Sequence, residues 1–105
     1  MDFSMKIVNL CDTVKGKAVL INQILRSGTS IGANIHEANY AHSRADFIAK
    51  MQIALKECYE TEYWLKLFEK TNIVEEEKYN KLRNDCGKIR KILISSINTA
   101  KTNMK

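Results

Sequence analysis

Residues 26–35 read Arg26-Ser-Gly-Thr-Ser-Ile-Gly-Ala-Asn-Ile35 and place two glycines inside a segment with helical periodicity. Gly28 and Gly32 are four residues apart, so they lie on one face of a helix together with apolar side chains. A glycine in a helix interior costs about 1 kcal/mol relative to alanine, and two of them need a compensating interaction. We interpret the pair as the site of close packing against a neighbouring helix.

Glycines before a helix can also bind phosphate through free backbone amides, and this is the alternative for the same pair. The sequence argues against it. No strand pattern precedes the segment, and no Gly-Lys-Ser or Gly-Lys-Thr follows it. Helix packing therefore remains the favoured interpretation of Gly28 and Gly32.

The composition is typical of a small helical protein. The chain has 105 residues, of which 45% are hydrophobic, with four glycines and no proline. Turn residues are too scarce for a sheet of many strands, so long helices are expected. We predict a single domain over residues 1–105, small enough to gain stability by burying further surface in an oligomer.

Apolar periodicity divides the chain into four helices. The first ends near residues 15–17, the second spans about 18–41, and the third follows an N-cap at Ser43 and reaches about residue 70. The fourth follows a connection near residues 71–74 and has the acidic residues 75–77 at its N-terminus. The connections are short, so an antiparallel up-down four-helix bundle is expected. The predicted core stripes of the third and fourth helices are Phe47, Met51, Ala54, Leu55, Cys58, Leu65 and Phe68, and Tyr79, Leu82, Cys86, Ile89, Leu93, Ile97 and Ala100.

Two helices carry a second face that one bundle core does not use. The third helix has apolar side chains opposite its core stripe, and the second has small residues between opposite charges, a pattern that favours a subunit interface. Arg26 and Glu37 are about 16 Å apart along the helix, so Arg26 needs another partner, for which Glu57 or Glu60 is suited. The interface candidates are Arg26, Ser30, Ala33, Glu37, Ile53, Glu57, Glu60, Trp64 and Leu67.

The same residues have alternative interpretations. Trp64 can lie half-exposed over a neighbouring loop, and the charged side chains can simply be solvated.

Positive charge is concentrated at the C-terminal end of the chain. The net charge is +5, but residues 78–105 contain eight basic residues and one acidic residue, a net charge of +7, and the rest of the chain carries −2. A basic helix of this kind favours a polyanionic partner such as RNA or DNA. The candidate binding residues are Lys81, Lys88 and Lys91 on one flank of the fourth core stripe and Arg83, Arg90 and Lys101 on the other.

The same basic residues have two other interpretations. Lysine and arginine stems can cover the margins of a core while their charged heads stay in water. A basic surface can also belong to a protein-interaction scaffold that recruits an acidic or nucleic-acid-bound partner protein. If nucleic acid is bound, we expect electrostatic and weakly sequence-specific contacts, because few aromatic residues lie on these flanks.

The sequence offers no arrangement for catalysis. His36 and His42 are six residues apart and fall on different helical faces, so no catalytic triad can be built from them. The three cysteines are widely spaced and are expected to be buried reduced thiols. We expect no enzyme activity, no metal and no cofactor. A secretory signal and an apolar run of about 18 residues are both missing, which favours a cytoplasmic protein without a membrane span.

Four segments together carry a resemblance to a known family. They are Arg26-Ser-Gly-Thr-Ser-Ile-Gly-Ala-Asn-Ile-His-Glu-Ala38, Asp46-Phe-Ile, Ala54-Leu-Lys-Glu57 and Glu60-Thr-Glu-Tyr-Trp-Leu65. In this order they resemble the bacterial four-helix-bundle family first known from proteins encoded in intervening sequences of 23S ribosomal RNA genes. A related branch looks like the accessory protein of diversity-generating retroelements, a basic pentameric barrel that binds nucleic acid and the reverse transcriptase. The resemblance implies an up-down bundle assembled as a homopentamer, without enzyme activity.

Overall fold

The computed structural model describes residues 1–103, and every regular element in that range is an α-helix. The helices are α1 (Asp2–Thr13), α2 (Ala18–Ala38), α3 (Arg44–Lys70) and α4 (Glu76–Thr102). Consecutive helices are antiparallel, and α2, α3 and α4 are long enough to give the molecule an extent of 48 × 20 × 19 Å. The predicted all-α four-helix bundle is confirmed.

Local sequence explains most of the helix boundaries. Gly16 joins α1 to α2 with a φ of +79°, a left-handed conformation that glycine adopts without steric cost. Ser43 caps α3 as predicted, because its hydroxyl accepts the backbone N–H of Asp46 at 3.0 Å. In the last connection Asn72 has a φ of 60°, and the carbonyl of Phe68 accepts the N–H groups of both Ile73 and Val74.

The end of α2 differs from the sequence prediction. The helix was expected to continue to about residue 41, but it ends at Ala38. After that point the N–H groups of Tyr40 and Ala41 bond to the carbonyls of Glu37 and Ala38, three residues back. The chain therefore tightens into short-range turns before Ser43 starts the next helix.

The short helix α1 packs on α2 through the two glycines. A Cβ atom added at Gly28 would lie 2.9 Å from both γ carbons of Ile7. A Cβ atom at Gly32 would lie 3.0 Å from the hydroxyl of Ser4. The backbone of α2 thus approaches α1 closely at Gly28, while the approach at Gly32 is to the end of a side chain that can rotate.

The core includes residues that the predicted stripe of α3 did not contain. Ile48, Glu57 and Thr61 are buried, whereas Phe47 and Leu55 are only half-buried. Ile89 of α4 is likewise half-buried. The buried face of α3 is wider than one stripe because the helix packs against both α2 and α4.

Two polar side chains, Ser27 and Thr61, are buried between α2 and α3 and contact each other through their hydroxyls. Thr61 Oγ1 lies 3.0 Å from Ser27 Oγ and donates to the carbonyl of Glu57 at 2.8 Å. Both side chains are fully buried. Their hydrogen bonds satisfy polar groups whose burial would otherwise be unfavourable.

Candidate nucleic-acid interface

A shallow groove on the side of α4 that faces α3 collects most of the predicted basic residues. We call it the basic groove, and its lining residues are Glu62, Arg83, Asn84, Gly87, Lys88, Arg90 and Lys91. Gly87 lies in the interior of α4, and a Cβ atom added there would have Arg90 Nη2 as its nearest neighbour, at 3.6 Å. The helix backbone is therefore open at Gly87, in the middle of four cationic side chains.

Arg90 is the most firmly held of these cations. Its Nε donates to Glu62 Oε1 of α3 at 2.8 Å, and its guanidinium carbon lies 5.9 Å from the ring centre of Tyr59. The hydrogen bond and the charge of Glu62 raise the pKa of Arg90. Because Nε is the atom that bonds to Glu62, the outer nitrogens remain for a ligand, and Nη2 is the one nearest Gly87.

The other three cations of the groove are less constrained. Lys88 and Lys91 are exposed and make no ion pair with any residue between 1 and 103. Arg83 places its guanidinium carbon 5.7 Å from the ring centre of Tyr79. Flexible, unpaired ammonium groups and a guanidinium resting on a ring are both able to contact phosphate oxygens.

Members of both predicted flanks border the basic groove, and Lys88 also borders a depression beside α1 that includes Lys6 and Asp85. Arg83 and Arg90 border the same groove as Lys88 and Lys91, because Gly87 between the two rows has no side chain to separate them. Lys81 lies elsewhere, in a depression beside α1 that includes Lys78 and Asp85, and pairs with Glu77 at 3.5 Å. Lys101 is exposed in the last turn of α4, and Lys105 lies outside the described residues.

Sequence reasoning missed an aromatic side chain beside the groove. Tyr59 of α3 is 52% exposed and lies next to Arg90, although the flanks of α4 contain few aromatic residues themselves. Its position depends on how α3 is rotated against α4. Glu62 of α3 and Arg90 of α4 meet in that arrangement, and no spacing within one helix displays it.

A second group of predicted residues forms a surface that we call the α2–α3 face. Its centre is Arg26, which pairs with Glu57 at 3.2 Å and with Glu60. Glu60 also accepts the indole N–H of Trp64 at 3.1 Å. The partners expected for Arg26 are thus found within one chain, and Glu57 is nearly buried there before any subunit contact.

The remaining members of the α2–α3 face are more accessible. Ile53 is 43% exposed, and Trp64 and Leu67 are half-buried. On α2, Ser30 is half-buried and donates to the carbonyl of Arg26, while Ala33 and Glu37 are exposed. Trp64 contacts Tyr63 edge-on, with 5.0 Å between ring centres, and donates its indole N–H to Glu60 of the same helix.

The cysteines are placed where reactivity is low. Cys58 and Cys86 are fully buried, Cys11 is partly buried, and all three are free thiols. Cys86 donates to the carbonyl of Cys58 at 3.6 Å, and its contact with the Cys58 thiol together with burial raises the pKa of Cys86. A thiol in that environment is a poor nucleophile at neutral pH.

Neither a metal site nor a membrane-spanning helix is found in residues 1–103. No three side chains among His, Cys, Asp and Glu in this range are grouped so that they could hold a metal ion. Within the same range, each helix is too short or too polar to cross a membrane.

Comparison with known proteins identifies the family. Residues 1–95 match the family described as 23S rRNA-intervening sequence protein. A crystal structure of a protein of unknown function from the S23 ribosomal protein family of Bacteroides thetaiotaomicron is 52% identical, with a TM-score of 0.88 over 91% of this chain and 92% of that one. No match was found among curated proteins. The resemblance seen in the sequence is confirmed, and the chain belongs to the 23S rRNA-intervening sequence protein family.

Proposed function

We propose that this protein binds RNA or DNA without catalysing a reaction, and that the basic groove of α4 contacts the phosphate backbone. The supporting observation is the convergence of Arg83, Lys88, Arg90 and Lys91 around the open backbone at Gly87. All four are on one continuous helix, so their backbone positions are fixed before a ligand arrives, while the side chains of Lys88 and Lys91 can adjust. Several cations around one groove favour a ligand that carries negative charge at regular intervals.

The charge balance of the groove supports the same ligand. Glu62 is its only acidic lining residue, and that carboxylate is paired with Arg90, which leaves a net charge of +3 among the lining residues. Phosphate contacts orient a nucleic acid but do not select its sequence. We therefore propose binding that depends strongly on salt and weakly on sequence.

A salt titration tests the proposal. Binding of a fluorescent oligonucleotide of arbitrary sequence is followed by anisotropy between about 50 and 200 mM salt, a range over which phosphate-dominated binding weakens strongly. The variant Lys88→Glu/Lys91→Glu should reduce the slope of log K against log salt by about 0.7 per lost phosphate contact for a single strand, or about 0.9 for duplex DNA.

The matched control is Lys15→Glu/Lys17→Glu, which makes the same change in net charge in the exposed connection between α1 and α2. It should leave the slope close to that of the wild-type protein. Equal slopes for the two double variants would contradict a role for the groove. No binding at about 50 mM salt by the folded protein would instead favour a scaffold that recruits an acidic or nucleic-acid-bound partner protein.

We also propose that the protein assembles as a homopentamer through the α2–α3 face. This state is implied by the family resemblance, and the half-buried apolar side chains beside an exposed Ile53 support the choice of face. Several copies would multiply the positive charge offered to one polymer. Native mass spectrometry should show an oligomer that Ile53→Arg dissociates.

Val8→Arg is the matched control for assembly, because Val8 on α1 is 41% exposed and Ile53 is 43% exposed. The control should keep the oligomer. A monomeric wild-type protein at micromolar concentration would contradict the assembly, and an oligomer that both variants preserve would place the interface elsewhere.

A further inference from the structure

Tyr59 is an exposed aromatic ring at the edge of the basic groove. It lies on α3, is 52% exposed, and has the Arg90 guanidinium 5.9 Å from its ring centre. The ring contributes little to the core, since much of its surface is in solvent. Tyr63, one turn further along, is 60% exposed but rests edge-on against Trp64 and is directed to the α2–α3 face.

Arg90 connects this ring to the phosphate-binding part of the groove. Glu62 holds its Nε, its guanidinium lies over one face of the Tyr59 ring, and its Nη2 is the atom nearest to the open backbone at Gly87. A group that can donate hydrogen bonds to phosphate is therefore adjacent to an aromatic ring. One nucleotide could use both groups, because its phosphate can bind the guanidinium and the flat face of its base can stack on the ring.

We infer that the basic groove takes a single-stranded segment, with a phosphate at Gly87 and Arg90 and an unpaired base stacked on the face of Tyr59 opposite to Arg90. The inference rests on the proposed function and names its ligand more closely. In a duplex the base faces are covered by their neighbours, so an exposed ring at the groove edge adds nothing to duplex binding. In a single strand the faces are available, and stacking on aromatic side chains is sequence-tolerant.

The groove geometry also explains why stacking and phosphate binding should be separable. Tyr59 carries no charge and lies on α3, whereas the lysines of the groove lie on α4. Loss of the ring should weaken the affinity for a single strand without changing how many phosphates are neutralised. The slope of log K against log salt is therefore expected to stay constant when only the ring is removed.

The test compares Tyr59→Ala, Tyr59→Phe and Tyr63→Ala with the wild-type protein. The probes are fluorescein-labelled RNA and DNA strands of about 16 nucleotides without internal pairing, and the same DNA annealed to its complement. Tyr59→Ala should weaken binding of both single strands about 10-fold, with an unchanged salt slope and little change for the duplex. Tyr59→Phe and Tyr63→Ala should bind like the wild-type protein. Circular dichroism should show that all variants are folded, and native mass spectrometry should show that Tyr63→Ala, beside the α2–α3 face, keeps the wild-type assembly.

A second readout reports stacking directly. A 2-aminopurine base in the single strand should lose fluorescence on binding to the wild-type protein and to Tyr59→Phe, but not to Tyr59→Ala. If binding is salt-dependent but Tyr59→Ala leaves it unchanged, or if the duplex binds as tightly as the single strand, the inference is wrong and the proposed function stands. If no probe binds with a salt dependence, both are wrong.

Discussion

Gly28 and Gly87 are both glycines in the interior of long helices, and their surroundings are opposite. Gly28 of α2 is buried, and a Cβ atom there would collide with Ile7 at 2.9 Å. Gly87 of α4 has room for a Cβ atom, with Arg90 Nη2 3.6 Å away as its nearest contact. The same residue type therefore lies in two different environments in one molecule, a close helix contact in the first case and an open groove in the second.

The energetic consequences differ in the same way. Each glycine lowers helix stability by about 1 kcal/mol relative to alanine. At Gly28 the contact with α1 offsets that cost through buried apolar surface. At Gly87 no packing partner among residues 1–103 offsets it, which is why we assign this glycine to ligand approach.

Gly28→Leu should have the largest effect on stability. The added side chain has to displace Ile7 from the contact between α1 and α2, and overpacking of this kind costs about 1–3 kcal/mol. Urea denaturation measures the loss, and Gly28→Ala serves as the smaller substitution. A midpoint for Gly28→Leu at or above that of the wild-type protein would contradict the packing role and favour the phosphate-binding alternative for this glycine.

Gly87→Ala should raise stability. Alanine is the better helix former, and the ordinary contact distance to Arg90 introduces no clash, so the free energy of unfolding should increase by up to about 1 kcal/mol. The same denaturation experiment measures it. A loss of stability would mean that α4 has a packing partner at Gly87 after all, such as a second subunit.

Gly32→Ala should have the smallest effect. Its Cβ atom would lie 3.0 Å from the hydroxyl of Ser4, which can rotate away, and the position is only half-buried. The gain in helix propensity and the cost of moving Ser4 should nearly cancel, leaving a change within about 0.5 kcal/mol. A loss as large as that of Gly28→Leu would show that α1 approaches α2 equally closely at both glycines.

The four-helix bundle could be predicted from the sequence because the patterns that indicate each helix lie within that helix. The N-cap at Ser43 and the apolar stripe of α4 depend on spacing within one helix. The burial of Thr61 against Ser27 depends on contacts between helices, and such contacts decide whether a polar residue is satisfied in the core.

The candidate site shows the same limit. The basic residues of the groove could be predicted from charge and spacing. The side of α4 on which they border one groove could not be predicted in this way. The groove lies between Glu62 of α3, which accepts a hydrogen bond from Arg90, and the open backbone at Gly87 of α4. Tyr59 lies on α3 and contacts Arg90 of α4, so neither this contact nor the exposure of Tyr59 could be predicted from a pattern within one helix.

The affinity of Gly87→Leu for a single-stranded oligonucleotide tests the assignment of this glycine most directly. The leucine side chain would occupy the groove between Arg83, Lys88, Arg90 and Lys91 without entering the core. We expect binding at about 50 mM salt to weaken about 10-fold, the order of one phosphate contact, while the protein stays at least as stable as the wild type. Unchanged affinity in the folded variant would contradict a ligand at Gly87.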